Sequence, residues 1–480
     1  MTDIESLLDS ADATDVAAAV RSGAVDAVEL VEAAIGRIEE RNPQINAVIA
    51  TCFDDALENA RNVDRDAPFA GVPFVVKDCR AQVAGVPETW GSRLMAEVVP
   101  DEDSELTKRY RAAGFVILGV TNMPEMGKQG TTEPAAYGPT RNPYDLTKSP
   151  GGSSGGTGAA VASGMVPIGH GNDGGGSIRV PSAACGLFGL KPSRGRVTGH
   201  PAATMMSYPM GIDHVMTRSV RDSAHVLDLT AGPVVGDPYQ IATPGSSWLS
   251  LLEQDPGKLR IGVASRSMEG PEFEPACAAA LERAVGCLEG LGHELEVADF
   301  PVDPGIFTLL GGLMAAATKV MIDDRLSELG RGLQEADLEP FTRYIYDLAS
   351  GFDGADVIRG LQAAELVGRR AATYFSDFDV FLSPTTRTVV PELGVYDTSN
   401  LDTLLPIAST PASETAVFNT SGQPAASVPM GYDDSGVPLG VQVAALFGRE
   451  DLVLSVARQM EQTTPWSTHA VWPARSGASV

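Results

Sequence analysis

The chain has 480 residues, of which 43% are apolar and 20% are charged, and an excess of acidic over basic side chains gives it a net charge of −27. This apolar share excludes a disordered acidic chain. The acidic balance argues against a surface that binds nucleic acid, because phosphate binding needs clustered Lys and Arg, and the sequence has no such cluster. The sequence contains no run of 18 apolar residues, which a transmembrane helix would need. The acidic start of the chain is unlike a signal peptide, so we expect no membrane partner and a cytoplasmic location.

The first third of the chain contains clear periodic patterns. Apolar side chains recur at three- and four-residue spacing over 13–42, which predicts a helix that ends at a proline. Short apolar runs at 73–77 and 115–120 predict buried strands, with a helix over 104–113 between them. The proline-rich segment 122–158 predicts loops.

The rest of the chain alternates strands and helices. A short Ala-rich helix is predicted over 157–163, and later elements are a strand at 259–264, a helix at 274–290, a strand at 378–382, a hairpin connection at 431–440 and a helix at 451–461. This alternation predicts an α/β fold. Because no long polar linker divides the chain, we expect a single domain.

Cysteine and histidine patterns exclude common metal and disulfide frameworks. The five cysteines are scattered without a Cys-x-x-Cys pair, which predicts reduced thiols. The six histidines show no spacing typical of metal ligands. We therefore expect no metal and no cofactor. His170 is expected to pack beneath a glycine-rich loop and not to take part in catalysis.

A glycine- and serine-rich run at 150–158 allows two familiar interpretations when it is taken alone. A phosphate-binding loop needs Gly-Lys-Ser/Thr after its glycines, and no lysine is present. A nucleophile elbow matches Gly151 to Gly155 with Ser153 at the centre, but that motif follows a strand, and the preceding residues are typical of a loop. By itself the run predicts a flexible loop.

Two further motifs give this run a chemical context. Upstream, a Gly-x-Pro sequence leads into an apolar strand that ends in Lys77; downstream, Asp-x-Gly-Gly-Ser-Ile-Arg contains Ser177, 24 positions after Ser153. The order and spacing of these elements resemble the amidase signature family. The resemblance is strongest over 68–200 and continues through 111–122, 185–197 and 418–425.

The resemblance implies a fold and a subgroup. It implies a single domain over 1–480 with a mixed β-sheet covered by helices on both faces, an N-terminal helical region to about residue 65 and a signature core over about 68–200. Within the family, the His170–Asp173 and Thr131–Pro134 segments are most similar to 6-aminohexanoate cyclic-dimer hydrolases.

The resemblance also implies a Ser-Ser-Lys triad, with Ser177 as the nucleophile, Ser153 as the bridging serine and Lys77 as the base. A serine hydroxyl needs a nearby base, and a lysine with an ordinary pKa of about 10.4 becomes one only when burial favours its neutral form. The apolar strand before Lys77 is a source of that burial. The expected reaction forms an acyl-enzyme on Ser177, which water hydrolyses to a carboxylic acid and an amine or ammonia.

Further site residues follow from the same resemblance. Ser154 and Asp173 are expected to support the site, and the Gly152–Ser153 peptide bond is expected to be cis. Glycines allow the backbone to approach a substrate closely, and backbone N–H groups stabilise a developing oxyanion. The implied oxyanion hole consists of the N–H groups of Gly174, Gly175, Gly176 and Ser177.

The expected partner is a small-molecule amide substrate, whose chemical class the sequence does not give. Its pocket is expected to come from 123–140, 303–350 and 400–420, with Lys128, Tyr137 and the Gly311-Gly312 segment as candidates. The amphipathic N-terminal helix could serve a homodimer or cover the core. Two alternatives stay open: the glutamine-hydrolysing subunit of a tRNA-dependent amidotransferase, and an inactive amidase-fold binding protein. The intact serines and lysine argue against the second.

Overall fold

The computed structural model describes residues 3–203, 205, 209–302 and 306–472, with backbone alone at 306–310. Within these residues, eleven strands form one sheet. The strands are β1 (Val48–Thr51), β2 (Pro73–Lys77), β3 (Val116–Thr121), β4 (Ile168–Asp173), β5 (Phe188–Lys191), β6 (Ile212–Thr217), β7 (Arg260–Val263), β8 (Glu294–Val297), β9 (Val380–Pro384), β10 (Ala425–Tyr432) and β11 (Pro438–Ala445).

The sheet is mixed, with strand order β1-β3-β2-β4-β6-β5-β10-β11-β9-β7-β8. Strands β3, β2 and β4 run parallel to one another, as do β8, β7 and β9. The strands between these two groups pair in antiparallel fashion. The predicted α/β fold with one large mixed sheet in a single domain is confirmed.

Sixteen α-helices lie within the described residues, and none of them is both long enough and apolar enough to cross a bilayer. They are α1 (Ile4–Ser10), α2 (Ala13–Arg21), α3 (Ala27–Ile45), α4 (Phe53–Arg61), α5 (Glu105–Ala112), α6 (Gly155–Ala162), α7 (Arg179–Ala184), α8 (Val220–Thr230), α9 (Trp248–Leu251), α10 (Pro275–Gly290), α11 (Ile306–Glu328), α12 (Pro340–Ala349), α13 (Gly354–Tyr374), α14 (Leu401–Leu404), α15 (Ala416–Ser421) and α16 (Glu450–Thr463).

The single helix predicted over 13–42 is wrong in two respects. The chain breaks it into α2 and α3 at Gly23, which adopts a φ of 74°, a conformation that side chains other than glycine rarely take. Asp26 then starts α3 by accepting the backbone N–H of Val28 at 2.8 Å. Helix α3 continues past Pro43 and ends only at Asn46, whose φ is 57°.

Most other predicted elements are confirmed within two residues of their predicted ends. Strand β2 has the predicted bounds, and the hairpin predicted at 431–440 is the connection between β10 and β11. Strand β4 was not predicted, because its Ile-Gly-His-Gly-Asn-Asp sequence has a single β-branched side chain and otherwise consists of glycine and polar residues, which are not typical of strands. Its position comes from its neighbours, since β4 pairs with β2 on one side and β6 on the other.

The hydrophobic core encloses the strands that carry the site. Phe74 and Val75 of β2 and Ile168 of β4 are fully buried. On a neighbouring part of the sheet, Phe300 packs against Phe381 and Phe418 with ring centroids 5.3 and 5.1 Å apart. These apolar surroundings hold the central strands rigidly, so the polar residues at their ends have defined positions.

Candidate active site

The parallel strands β2 and β4 bring two predicted site residues to one edge of the sheet. Phe74 of β2 pairs with Ile168 of β4. Lys77 is the last residue of β2, and Asp173 is the last residue of β4. Because the carboxyl ends of neighbouring parallel strands lie at the same edge of a sheet, Lys77 and Asp173 are at the same edge.

Lys77 is buried and contacts the predicted bridging serine directly. Its Nζ lies 2.7 Å from Ser153 Oγ and 3.4 Å from the carbonyl oxygen of Asn172, and the residue is only 2% exposed. Burial lowers the pKa of Lys77 below its usual range, although the negative charges of Asp173 and Asp213 act in the opposite direction. This environment favours the neutral amine that a general base requires.

Ser153 is held by a backbone segment that leaves no room for larger residues. The peptide bond between Gly152 and Ser153 is cis, as the family resemblance implies. A Cβ atom at Gly152 would lie 2.5 Å from the carbonyl oxygen of Thr131, so only glycine fits there. Thr132 Oγ1 donates a hydrogen bond to the carbonyl oxygen of Gly151 at 2.9 Å, which fixes the start of the segment.

Asp173 organises the loop that carries Ser177. Its carboxylate accepts the backbone N–H of Gly176 at 2.7 Å and that of Ile178 at 3.1 Å, on either side of the serine. It also pairs with the Arg179 guanidinium at 2.9 and 3.0 Å. Although burial opposes the effect, this guanidinium holds the pKa of Asp173 well below its usual range. Asp173 therefore acts as a charged anchor for the loop.

Arg179 connects this loop to distant parts of the chain. Its Nη1 donates to the carbonyl oxygen of Thr415 at 2.9 Å and to Gln442 Oε1 at 2.6 Å, and its Nη2 donates to Asn419 Oδ1 at 2.5 Å. The Asn419 amide donates in turn to Asp173 Oδ1 at 2.8 Å. The guanidinium is fully buried and has partners on three sides, so it fixes the loop in one arrangement.

The two serine segments meet through their backbones. The Ser154 N–H donates to the carbonyl oxygen of Ser177 at 3.3 Å, and Ser154 Oγ donates to the carbonyl oxygen of Asn172 at 3.2 Å. Ser177 is half-buried. Among the residues that the structure describes, no hydrogen bond joins the Ser177 hydroxyl to Ser153. The structure thus aligns the lysine with the bridging serine but does not align the two hydroxyls.

The four predicted oxyanion donors are not equivalent. The N–H of Gly176 already donates to Asp173 at 2.7 Å, so it is not free to donate to a substrate. The N–H groups of Gly174, Gly175 and Ser177 have no hydrogen-bond acceptor within the described ranges. Backbone donors without an internal partner are the ones that an incoming oxyanion can use.

Two of the three predicted pocket segments reach the serine motifs. A Cβ atom at Gly127, in the segment 123–140, would lie 3.4 Å from Ser153 Oγ. In the segment 400–420, Thr415 Oγ1 donates to the carbonyl oxygen of Gly175 at 2.5 Å. The segment 303–350 contacts the first of these segments, because the backbone N–H of Glu339 donates to Glu125 at 2.8 Å. Of that segment, residues 303–305 and the side chains of 306–310 lie outside the described structure.

The individual pocket candidates have different surroundings. Burial lowers the pKa of Lys128, directly after Gly127, to about 8. The Tyr137 hydroxyl donates to Thr89 Oγ1 at 3.0 Å. Gly312 faces Phe352, where a Cβ atom would lie 3.1 Å from the ring, whereas Gly311 faces open space. Close contact with the connection between α12 and α13 thus accounts for one of the two glycines.

A buried carboxyl group, Glu125, ties the loop beside Ser153 to helix α12. It accepts Ser92 Oγ at 2.8 Å and the backbone N–H of Glu339 at 2.8 Å, at the start of that helix. Burial raises the pKa of Glu125 to about 7. The folded protein therefore favours the protonated form, and its stability falls as the pH rises from the ordinary carboxyl range through about 7.

We expect Glu125→Gln to remove this pH dependence. For one such group the free energy of unfolding falls by ~1.4 kcal/mol per pH unit across that interval, so the variant should gain stability relative to the parent as the pH rises from 5 to 7. Urea unfolding at several pH values measures the difference. Glu102→Gln, on an exposed side chain, is the control and should show a constant difference. A pH-independent difference for Glu125→Gln would contradict the prediction.

Sequence reasoning missed several site residues. Arg179 and Asn419 lie inside motifs that carry the family resemblance, yet neither was given a role. The signal that could have identified Arg179 is its position among small apolar residues, where a charged side chain needs a buried partner. Asp213 lies on β6 and has no motif of its own, so only the sheet pairing brings it opposite Asn172. Within the described residues, no group of three His, Cys, Asp or Glu side chains is arranged to hold a metal ion.

Comparison with known proteins identifies the family of the chain. The family model described as Amidase matches residues 29–454. A 6-aminohexanoate-cyclic-dimer hydrolase from Pseudomonas sp. (strain NK87) is 39% identical over an alignment of 477 positions, gaps included, that covers 95% of each chain. The structure of a 6-aminohexanoate cyclic dimer hydrolase complexed with substrate superposes with a TM-score of 0.92 at 36% identity, over 97% of this chain and 99% of that one.

A second solved structure extends the likeness to another activity. A bacterial aryl acylamidase of the amidase signature family matches with a TM-score of 0.87 at 27% identity, over 96% of this chain and 97% of that one. The two solved structures are thus named as a hydrolase and as an amidase. The predicted family and enzyme class are confirmed: the chain belongs to the amidase signature family and is a hydrolase of carbon–nitrogen bonds in amides.

Proposed function

We propose that the protein hydrolyses the amide bond of a small molecule through an acyl-enzyme on Ser177, with Ser153 as the proton carrier and Lys77 as the base. The observation that carries this proposal is the 2.7 Å contact between Ser153 Oγ and a buried Lys77 Nζ whose pKa burial lowers. An ordinary surface lysine would be an ammonium ion at neutral pH and would have no lone pair to accept a proton.

In acylation, Lys77 Nζ accepts the proton of Ser153 Oγ while Ser153 Oγ accepts the proton of Ser177 Oγ. Ser177 Oγ then bonds to the substrate carbonyl carbon, and the carbonyl oxygen becomes an oxyanion. When this intermediate collapses, the carbon–nitrogen bond breaks, and the proton returns from Lys77 through Ser153 to the leaving nitrogen. The two serine hydroxyls must approach each other for this transfer. Such contacts often tighten only when substrate is bound.

The oxyanion is held by the backbone N–H groups of Gly174, Gly175 and Ser177. The anchoring of the loop by Asp173 and Arg179 supports this role, because donors contribute most when they are fixed before the charge develops. One such donor is typically worth about 3–4 kcal/mol when measured by removal. In deacylation, water attacks the acyl carbon by the same proton route and releases the carboxylic acid.

The substrate class follows from the relatives. The similar enzymes named above act on the 6-aminohexanoate cyclic dimer and on aryl acylamides, so we propose small amides of these kinds as substrates. A screen should begin with the 6-aminohexanoate cyclic dimer and include aryl amides and short aliphatic amides. We expect turnover of at least one of them without an added metal or cofactor.

Trapping of the acyl group tests the proposed mechanism. With hydroxylamine present, the wild-type enzyme should convert part of the amide substrate into a hydroxamate, because hydroxylamine competes with water for the acyl-enzyme. Product analysis by mass spectrometry measures the ratio of hydroxamate to acid, and a sample without enzyme is the control. Hydrolysis that gives acid alone at every hydroxylamine concentration would contradict a covalent intermediate.

A further inference from the structure

His170 lies behind the triad and contacts the backbone of its lysine. The imidazole Nδ1 is 3.3 Å from the backbone nitrogen of Lys77, which donates its N–H to the ring. The opposite nitrogen, Nε2, lies 3.4 Å from Asp213 Oδ1. His170 is fully buried, and its own carbonyl oxygen accepts Thr157 Oγ1 at 2.9 Å. Packing beneath the loop, as expected from sequence, therefore describes only part of its surroundings.

Asp213 also connects to Lys77 through a second set of hydrogen bonds, which runs through Asn172. It is 3% exposed and pairs with the Arg80 guanidinium, with Oδ2 2.8 Å from both Nε and Nη2. Its Oδ1 also accepts the side-chain amide of Asn172 at 3.0 Å, directly across the pair of strands. The Asn172 carbonyl oxygen lies 3.4 Å from Lys77 Nζ. One carboxylate thus orders neighbours of both the backbone and the amine of Lys77.

These contacts determine the tautomer of the ring. A nitrogen that accepts the Lys77 N–H carries no proton of its own, so the neutral ring carries its proton on Nε2, which faces Asp213. Burial lowers the pKa of His170, while Asp213 opposes the shift. The other titratable groups that face the ring are Lys77, Arg80, His214 on β6 and Tyr110 on α5.

The charge balance around Lys77 depends on this arrangement. Arg80 and Asp213 form a buried pair of zero net charge, and a neutral His170 adds none. A protonated ring would lose its acceptor for the Lys77 N–H. It would also add a positive charge, besides that of Arg80, next to Lys77. Both changes would disturb the position of the amine that contacts Ser153.

We propose that His170 is a positioning residue of this amidase, which as the Nε2–H tautomer holds the backbone of Lys77 through Nδ1 and is itself oriented by the Asp213–Arg80 pair. The catalytic part of this inference rests on the proposed function. The tautomer does not, because it follows from the hydrogen bonds alone.

Three substitutions separate the two sides of the ring. Asn places an oxygen near the position of Nδ1, so His170→Asn keeps an acceptor for the Lys77 N–H. Gln reaches the position of Nε2, so His170→Gln keeps only the contact with Asp213, and His170→Leu keeps neither. A buried N–H without an acceptor costs free energy. We expect kcat to fall about tenfold or more in His170→Gln and His170→Leu but no more than about threefold in His170→Asn, with KM nearly unchanged.

The kinetic outcomes decide the role. Rescue by Asn, but not by Gln or Leu, supports the acceptor function, and thermal unfolding of each variant verifies that it is folded. Wild-type kcat in His170→Leu would overturn the proposal. Equal losses in His170→Asn and His170→Leu would also overturn it, because the ring would then serve packing alone.

A spectroscopic measurement tests the tautomer independently of activity. Nitrogen NMR of the histidine-labelled wild-type protein, with the His170 signals assigned by their loss in His170→Asn, should show a neutral ring protonated on Nε2 at pH 7–8. A ring protonated on Nδ1, or an imidazolium, would overturn the proposal. If no amide in the screen is hydrolysed, the proposed function fails, while this measurement still decides the arrangement of the ring.

Discussion

Ser177→Ala should abolish amide hydrolysis, with a loss in kcat/KM of at least about 10⁴-fold. The substitution removes the oxygen that forms the acyl bond, and no other group of the proposed triad can replace it. The fold should persist, because Ser177 is half-buried as a residue and, within the described part of the chain, its hydroxyl makes no hydrogen bond with Ser153. Initial rates on an amide substrate measure the loss, and circular dichroism verifies the fold.

Covalent labelling gives this prediction a second measurement. A fluorophosphonate should add once to the wild-type protein, detected by intact mass, and not at all to Ser177→Ala. The matched control is Ser182→Ala on helix α7, a buried serine whose hydroxyl has no partner among the described residues. That control should keep both its activity and its label. Activity at the wild-type level in Ser177→Ala would refute the assignment of Ser177 as the nucleophile. A wild-type protein that takes up no label would favour the alternative of an inactive binding protein.

Lys77→Met should lower kcat by about 10³–10⁴-fold, because the relay loses its only base. Methionine fills a similar volume, so the apolar surroundings of β2 remain packed. Lys77→Arg should be comparably impaired, since a guanidinium keeps its protons in proteins. Lys108→Met, at a lysine whose side chain is 54% exposed, is the control and should be fully active. Activity in Lys77→Arg near that of the wild type would contradict the role of a base.

The stability of Lys77→Met provides a check that does not use activity. Burial lowers the pKa of Lys77 in the folded state, so the unfolded chain binds the proton more tightly, and wild-type stability rises with pH up to the ordinary lysine range. The variant lacks this pH-dependent contribution to the free energy of unfolding. Its melting temperature relative to the wild type should therefore be highest near pH 7 and should fall toward pH 10. A difference that does not change with pH would show that Lys77 keeps its ordinary pKa.

The sequence predicted the parts of the fold that are encoded locally. The run Pro73–Val76 is apolar and leads directly into Lys77, and β2 has the predicted bounds Pro73–Lys77. Strand β4 was beyond reach, because its glycines and polar residues have low strand propensity and only pairing with β2 and β6 makes them a strand. The break at Gly23 was missed for the opposite reason: the apolar periodicity continues across a residue whose backbone leaves the helix.

The site divides in the same way. Lys77, Ser153 and Ser177 could be identified because they lie in contiguous motifs of small residues. The partners of Asp173 could not, since Arg179 binds it beside Asn419, which is 240 positions further along the chain. Nor could local pattern show that Asp173 takes the N–H of Gly176 and so removes one of four expected oxyanion donors. Such contacts depend on tertiary distances, which no local pattern contains.

The guanidinium of Arg179 has a consequence for the order in which a newly made molecule becomes active. During synthesis the lysine and both serines emerge from the ribosome long before Thr415, Asn419 and Gln442. These three residues supply the remaining hydrogen-bond acceptors of that guanidinium. A nascent chain that ends before these residues would keep the ion pair with Asp173 but would lack the other three hydrogen bonds of the guanidinium, so the nucleophile loop would not be fully fixed. Amide cleavage should therefore begin only after translation has passed β11, so that an unfinished polypeptide has no hydrolytic activity in the cell.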